Sequence, residues 1–169
     1  MEFLTTIKEQ LPDWAKDIRL NLDAVIARST LAPEDAVGAA LSAAYAARSP
    51  VLVEAFKSGL SEADANAALT ASALMGMNNT WYPYVEMTGD AQLKSLPAQL
   101  RMNAYATHGG VDKKRFELFA LVASIIGKCH FCVASHYENL KKDGLSTEQL
   151  RDAGRIASVV NAAALAPVS

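Results

Sequence analysis

The chain has 169 residues, about half of them hydrophobic (51%) and a fifth charged (20%), with a formal net charge of −2 and a pI near 5.9. That length predicts one domain over residues 1–169 with a core of its own, and the balanced charge offers no electrostatic attraction to nucleic acid or an anionic membrane. The start MEFLTTIKEQLPDW carries Glu2, Lys8 and Glu9; neither a signal peptide nor a membrane span fits, so the expected location is the cytoplasm.

Taken along the chain, strand signals are nearly absent, while Ala, Leu, Glu and Lys dominate. The expected fold class is all-α, a helical bundle. Pro12 and Pro33 suit first-turn positions, and Ser49-Pro50 reads as an N-cap with proline at the first helical residue. Ser61 opens SEADANAALTASALMGM with Asp64 three residues on. The segment MGMNNTWYPYVEM reads either as the approach to a site or as a helix end packing its aromatics. Asn78 and Asn79 within it are expected to cap or cross-link helices. Asp112 caps KKRFELFALVASIIG after the loop THGGV, and Ser146 with Gln149 forms a capping box. Phe116, Phe119, Ala120 and Ala123 follow a helical stripe, and Leu118 to Ile126 is apolar almost all round, which predicts a central or subunit-covered helix. Lys113-Lys114-Arg115 is expected to be a solvated face.

A faint repeat is legible. AALSAAYAARSPVLVEAF (39–56) and LFALVASIIGKCHFCVASHY (118–137) each read as a helix, a break and a second helix. Each is followed by Gly-Leu-Ser and an Ala-rich helix, so two related helical units are expected. Ser49 and Leu52 fall near where the cysteines of the second unit stand, so the first unit lacks its chemistry.

That chemistry lies in GKCHFCVASHYENL, which holds both cysteines, Cys129 and Cys132, and two of the three histidines, His130 and His136. Gly127 is expected to break the preceding helix so that Cys129 begins the next. Spacings of three and then four residues put Cys129, Cys132 and His136 on one face. A thiol in a first helical turn is favoured as thiolate, and His136 is within reach of the Cys132 proton. The pair can also close a disulfide after one sulfur is oxidised. A zinc site built from Cys129, Cys132 and His130 or His136, with distant His108, is the competing reading, although successive ligands on one helix converge poorly. His130 projects elsewhere and reads as a surface residue, and His108 as a loop residue. Glu117, alone in the run FELFALVASII, is either a buried carboxylate with a partner or part of an exposed stripe near Lys113 and Lys114.

Read together, Glu117, Cys129, Cys132 and His136 at this spacing resemble the alkylhydroperoxidase D (AhpD) family of the carboxymuconolactone decarboxylase-like superfamily. THGGVDKKRFELFALVASIIGKCHFC and ALMGMNNTWYPYVEM are similar to its loop-helix and Met-Asn-Asn segments. The resemblance implies a peroxidatic Cys132, a resolving Cys129 and a proton relay of Glu117 and His136. It also implies a homo-oligomer, commonly a trimer, acting in antioxidant defence. It implies a reductant such as protein-bound dihydrolipoamide, a possible peroxiredoxin partner of the AhpC type, and no flavin, haem or metal cofactor. By the dipole argument alone, Cys129 would be the more acidic thiol. One position departs from the family: a histidine often precedes the second cysteine, but here Phe131 stands there and His130 one earlier, turned by about 100° on a helix. A non-redox decarboxylase-like enzyme and a zinc-binding or assembly protein are the alternatives.

Overall fold

Serine, aspartate and proline set where the helices begin, and the structure, a computed structural model, describes residues 1–107 and 111–166. In chain order the helices are α1 (Glu2–Gln10), α2 (Lys16–Leu22), α3 (Pro33–Ala46), α4 (Pro50–Lys57) and α5 (Glu62–Thr88). They continue as α6 (Ala91–Ser95), α7 (Asn103–Thr107), α8 (Lys113–Gly127), α9 (His130–Lys142) and α10 (Thr147–Leu165). There is no strand among the described residues, and the fold is all-α. Nor is any helix among them long and apolar enough to cross a membrane. His108 lies outside the described residues.

The expected caps form because each satisfies an amide that the first helical turn leaves unpaired. Ser49 accepts from the Leu52 N–H, Ser61 from Asp64, Asp112 from Arg115, and Ser146 from Gln149 in a reciprocal capping box. Pro33 opens α3. Pro12 does not sit in a first α-helical turn; it precedes a single 3₁₀ turn, Asp13–Ala15. The segment MGMNNTWYPYVEM is a helix end: it forms the last turns of α5, which runs through Pro83 to Thr88 and is capped by Gly89 in the left-handed conformation.

α3 and α8 lie side by side at the centre, with α5 and α10 packed across both. Small residues allow this, since α3 is buried from Ala36 to Ala44. A chain of buried hydroxyl bonds ties three helices. Ser72 Oγ donates to the Ser42 carbonyl at 3.0 Å, and Ser42 Oγ donates to the Phe119 carbonyl at 2.8 Å. Gly38 is where α3 meets the Phe119 ring: a β-carbon there would lie 2.5 Å from two ring atoms, and Phe119 is fully buried. Gly38→Ala is therefore expected to cost about 1–3 kcal/mol by overpacking. It would be read as a lower denaturant midpoint at unchanged slope.

The repeat is structural. In each unit a long helix ends, one residue turns left-handed (Arg48 at φ 59°, Lys128 at φ 53°), and the next caps a second helix. The third helix of each unit packs on the first helix of the other, α5 on α8 and α10 on α3. In the same register, Val37, Ser49, Leu52 and Phe56 occupy the places of Glu117, Cys129, Cys132 and His136. Valine, leucine and phenylalanine are buried hydrophobes there. The first unit thus keeps the packing and none of the chemistry.

Lys113-Lys114-Arg115 is not a uniformly solvated face. Arg115 turns inward, bonding Asp35 through Nε at 2.5 Å and Asp64 through Nη1 at 2.7 Å, with its side chain only 19% exposed. It pins the starts of α3, α5 and α8 together.

Candidate active site

Gly127 is the last residue of α8, but the residue that breaks the helix is Lys128, which caps it in the left-handed region. That conformation costs a non-glycine residue about 1–2 kcal/mol. What glycine at 127 provides is closeness: a β-carbon there would collide with the Asn79 side chain. Asn79 cross-links the two helices, donating from Nδ2 to the Ala123 carbonyl at 3.2 Å.

Cys129 follows as the N-cap of α9. Its sulfur accepts the Cys132 amide N–H at 3.3 Å, as Ser49 does in the first unit. The two cysteines are joined as a disulfide, with Cα atoms 5.3 Å apart, inside the range such a bond requires. Both are buried. The Asn78 carbonyl oxygen faces the bonded pair, 3.6 Å from Cys132 Sγ and 3.9 Å from Cys129 Sγ.

One turn beyond Cys132, His136 turns Nδ1 to Glu117 Oε1 at 2.7 Å. Glu117 is 5% exposed, so of its two sequence readings the buried, partnered carboxylate is the one realised. Asn139 Nδ2 donates to the same Oε1 at 3.0 Å. On the far side of the imidazole, Nε2 meets Met75 Sδ at 3.1 Å.

Glu117, Cys129, Cys132 and His136 are thus brought together where α8, α9 and α5 meet. His130 is not among them. Its exposed ring pairs with Glu86 at 3.2 Å. Phe131 is 56% exposed and stacks on Tyr82, with ring centroids 4.4 Å apart. Asn78, Met75 and Asn139 are neighbours that the spacing argument did not pick out. Asn139 stands three residues after His136 and so shares its face, a signal the sequence does carry. Met75 comes from α5 and opens the segment MGMNNTWYPYVEM, one of whose two readings is the approach to a site.

Among the described residues, no three His, Cys, Asp or Glu side chains are grouped to hold a metal ion. An open cavity of about 790 Å³ lies elsewhere, lined by Ser49, Arg48, Val53, Asn79 and Gly127 among others and by neither cysteine.

Residues 91–168 match the model of the carboxymuconolactone decarboxylase family. Over nearly its whole length the chain is similar to proteins named alkyl hydroperoxide reductase AhpD. It is 43% identical to that of Rhodospirillum centenum, over 95% of this chain and 88% of the relative. For Bradyrhizobium sp. the figures are 40%, 95% and 90%, and for Coxiella burnetii 40%, 94% and 93%. At that identity and coverage, the chain belongs to the AhpD family of the carboxymuconolactone decarboxylase-like superfamily.

Proposed function

We propose that the chain is a thiol-dependent alkyl hydroperoxide reductase whose reducing centre is Cys129 and Cys132, with His136 and Glu117 as its proton relay. The observation that carries the reading is the bonded pair itself, set one helical turn from a histidine held by a buried carboxylate. Its family membership supports the same chemistry.

In the scheme, the relay takes the proton of Cys132, and the thiolate attacks the O–O bond of a hydroperoxide. The bond breaks, Cys132 becomes a sulfenic acid, and the alkoxide leaves as alcohol after taking the proton from His136. The Cys129 thiol then condenses with the sulfenic acid, releasing water and forming the disulfide. A dithiol of the dihydrolipoamide class reduces that bond by exchange and is itself oxidised to its cyclic disulfide. Glu117 holds Nδ1, which orients the ring and stabilises the imidazolium that proton transfer creates. The cycle needs only protein sulfur and an external dithiol. A reducing compartment such as the cytoplasm, a homotrimeric assembly, a lipoyl-bearing protein as donor and an AhpC-type peroxiredoxin as electron acceptor belong to the same proposal.

The test is a thiol count. The reduced protein should lose two thiols per chain on adding one equivalent of an organic hydroperoxide, releasing one equivalent of alcohol. Dihydrolipoamide should restore both. Retention of both thiols after peroxide would overturn the reading, and would favour the decarboxylase-like or assembly alternative, neither of which uses a dithiol.

A further inference from the structure

We infer that Met75 is a positioning residue of the relay: its thioether receives the Nε2–H of the protonated form of His136, holding the proton that Cys132 gives up. The inference rests on the relay reading and adds to it the atom on which the proton waits.

The geometry begins at Glu117. Oε1 lies 2.7 Å from Nδ1 of His136 and accepts from Nδ2 of Asn139, and we take the tautomer in which Nδ1 carries the shared proton and Oε1 accepts it. Nε2 then carries either a bare lone pair or a second proton. What faces it at 3.1 Å is Met75 Sδ, a weak acceptor with no hydrogen to give. A bare Nε2 would set lone pair against lone pair at that distance. An Nε2–H would have an acceptor. The contact therefore offers an acceptor to an Nε2–H, the form that His136 takes when Cys132 gives up its proton.

Met75 is 2% exposed, so little water competes for the position. It sits on the face of α5 that also carries Asn78, three residues on. That helix edge accordingly presents two acceptors to the site, the Asn78 carbonyl to the sulfurs and the Met75 thioether to the imidazole. Neither can return a proton to Cys132. A thioether is also a weak enough acceptor to release the proton when the leaving alkoxide needs it, which a carboxylate at that place would not be. Glu117 from α8 is the titratable group bonded to His136, and Cys132, joined to Cys129, stands one turn earlier on the same helix. Glu86, also on α5, is engaged by exposed His130.

The experiment measures alkylation of Cys132 by iodoacetamide against pH in the reduced protein, in a background where Cys129 is serine. Three variants are compared: Met75→Leu, which keeps the volume and loses the acceptor, Met75→Gln, which supplies a carbonyl acceptor on a side chain of similar length, and His136→Ala. Loss of one modest hydrogen bond predicts a Met75→Leu rate about threefold to tenfold below wild type near pH 7. The rates should converge at high pH, where the thiol ionises unaided, and Met75→Gln should recover most of the loss. Should the leucine variant not fold, Met75→Ile serves the same comparison. A Met75→Leu profile identical to wild type, or equal losses in the leucine and glutamine variants, overturns the inference and leaves a packing role. If His136→Ala also keeps the wild-type profile, it is the relay that fails, and the two failures are distinguished.

Discussion

Cys132→Ser should leave less than about a thousandth of the wild-type hydroperoxide turnover, because a residue that acts as nucleophile takes nearly the whole chemical acceleration with it. Cys129→Ser should behave differently. It should consume about one equivalent of hydroperoxide, stop, and leave a sulfenic acid on Cys132 that a carbon nucleophile such as a cyclic dione can trap. The contrast matters because two physical arguments point to different sulfurs. Cys129 caps α9 and accepts an amide N–H, the position where a helix dipole most favours a thiolate. Cys132 has the histidine, four residues on and braced by Glu117. A helix terminus contributes on the order of 1 kcal/mol, whereas a positioned base contributes about 10²–10⁴-fold in rate. The larger effect favours Cys132 as the attacking sulfur of the proposed scheme. Rapid-quench turnover with mass analysis of both serine variants decides it: a trapped sulfenic acid on Cys129 and an inert Cys129→Ser protein would hand the role to the helix terminus.

Much of this site could be read from the sequence because its parts are local. The spacing from Cys129 through Cys132 to His136 is a property of one helix, and caps such as Ser49, Asp112 and Ser146 depend on residues within one turn. The break before Cys129 was legible for the same reason, although Lys128 rather than Gly127 takes the left-handed turn. Glu117 was ambiguous because spacing alone does not say which face of an almost wholly apolar helix meets a neighbour. Its burial follows from α8 lying at the centre with α9 against it.

What spacing could not show is what a distant helix brings. Met75 reaches His136 across 61 positions of chain; reading MGMNNTWYPYVEM as the approach to a site marks its neighbourhood, but no spacing picks out the residue. Arg115 differs from its sequence expectation for the same reason. Within a run of three basic residues it looks solvated, and only the meeting of α3, α5 and α8 supplies Asp35 and Asp64 as its partners. The first unit's loss of chemistry was visible at Ser49 and Leu52. Val37 and Phe56 became recognisable as counterparts of Glu117 and His136 only once the two left-handed breaks set the register.

Arg115→Met is the stability change expected to be largest. It keeps most of the side-chain volume, removes the guanidinium, and leaves two mostly buried carboxylates facing the space it filled. Breaking such a pair by deleting one partner costs about 3–5 kcal/mol, and at this chain length about 2–4 °C of melting temperature per kcal/mol. The pH dependence carries a second signature. Burial pushes the Asp64 carboxyl up, but the hydrogen bond from Ser61 and the bonds and charge of Arg115 outweigh it, holding the group below its ordinary value. A carboxyl lowered in the fold contributes stability that is complete above the unfolded value, about 3.9, and is lost as pH falls through the lower folded value. Asp152 behaves alike: burial raises it, and the Thr30 amide and hydroxyl together with Arg155 more than reverse the effect. Wild type should therefore lose stability below about pH 4, whereas Arg115→Met, no longer holding Asp64 down, should lose less over the same interval. Adding Asp64→Asn to Arg115→Met should recover part of the loss at neutral pH by removing one of the two unpaired charges. Denaturant midpoints at pH 7 and pH 3 check all three expectations, and equal acid sensitivity in wild type and Arg115→Met would show that the guanidinium does not hold α3, α5 and α8 together.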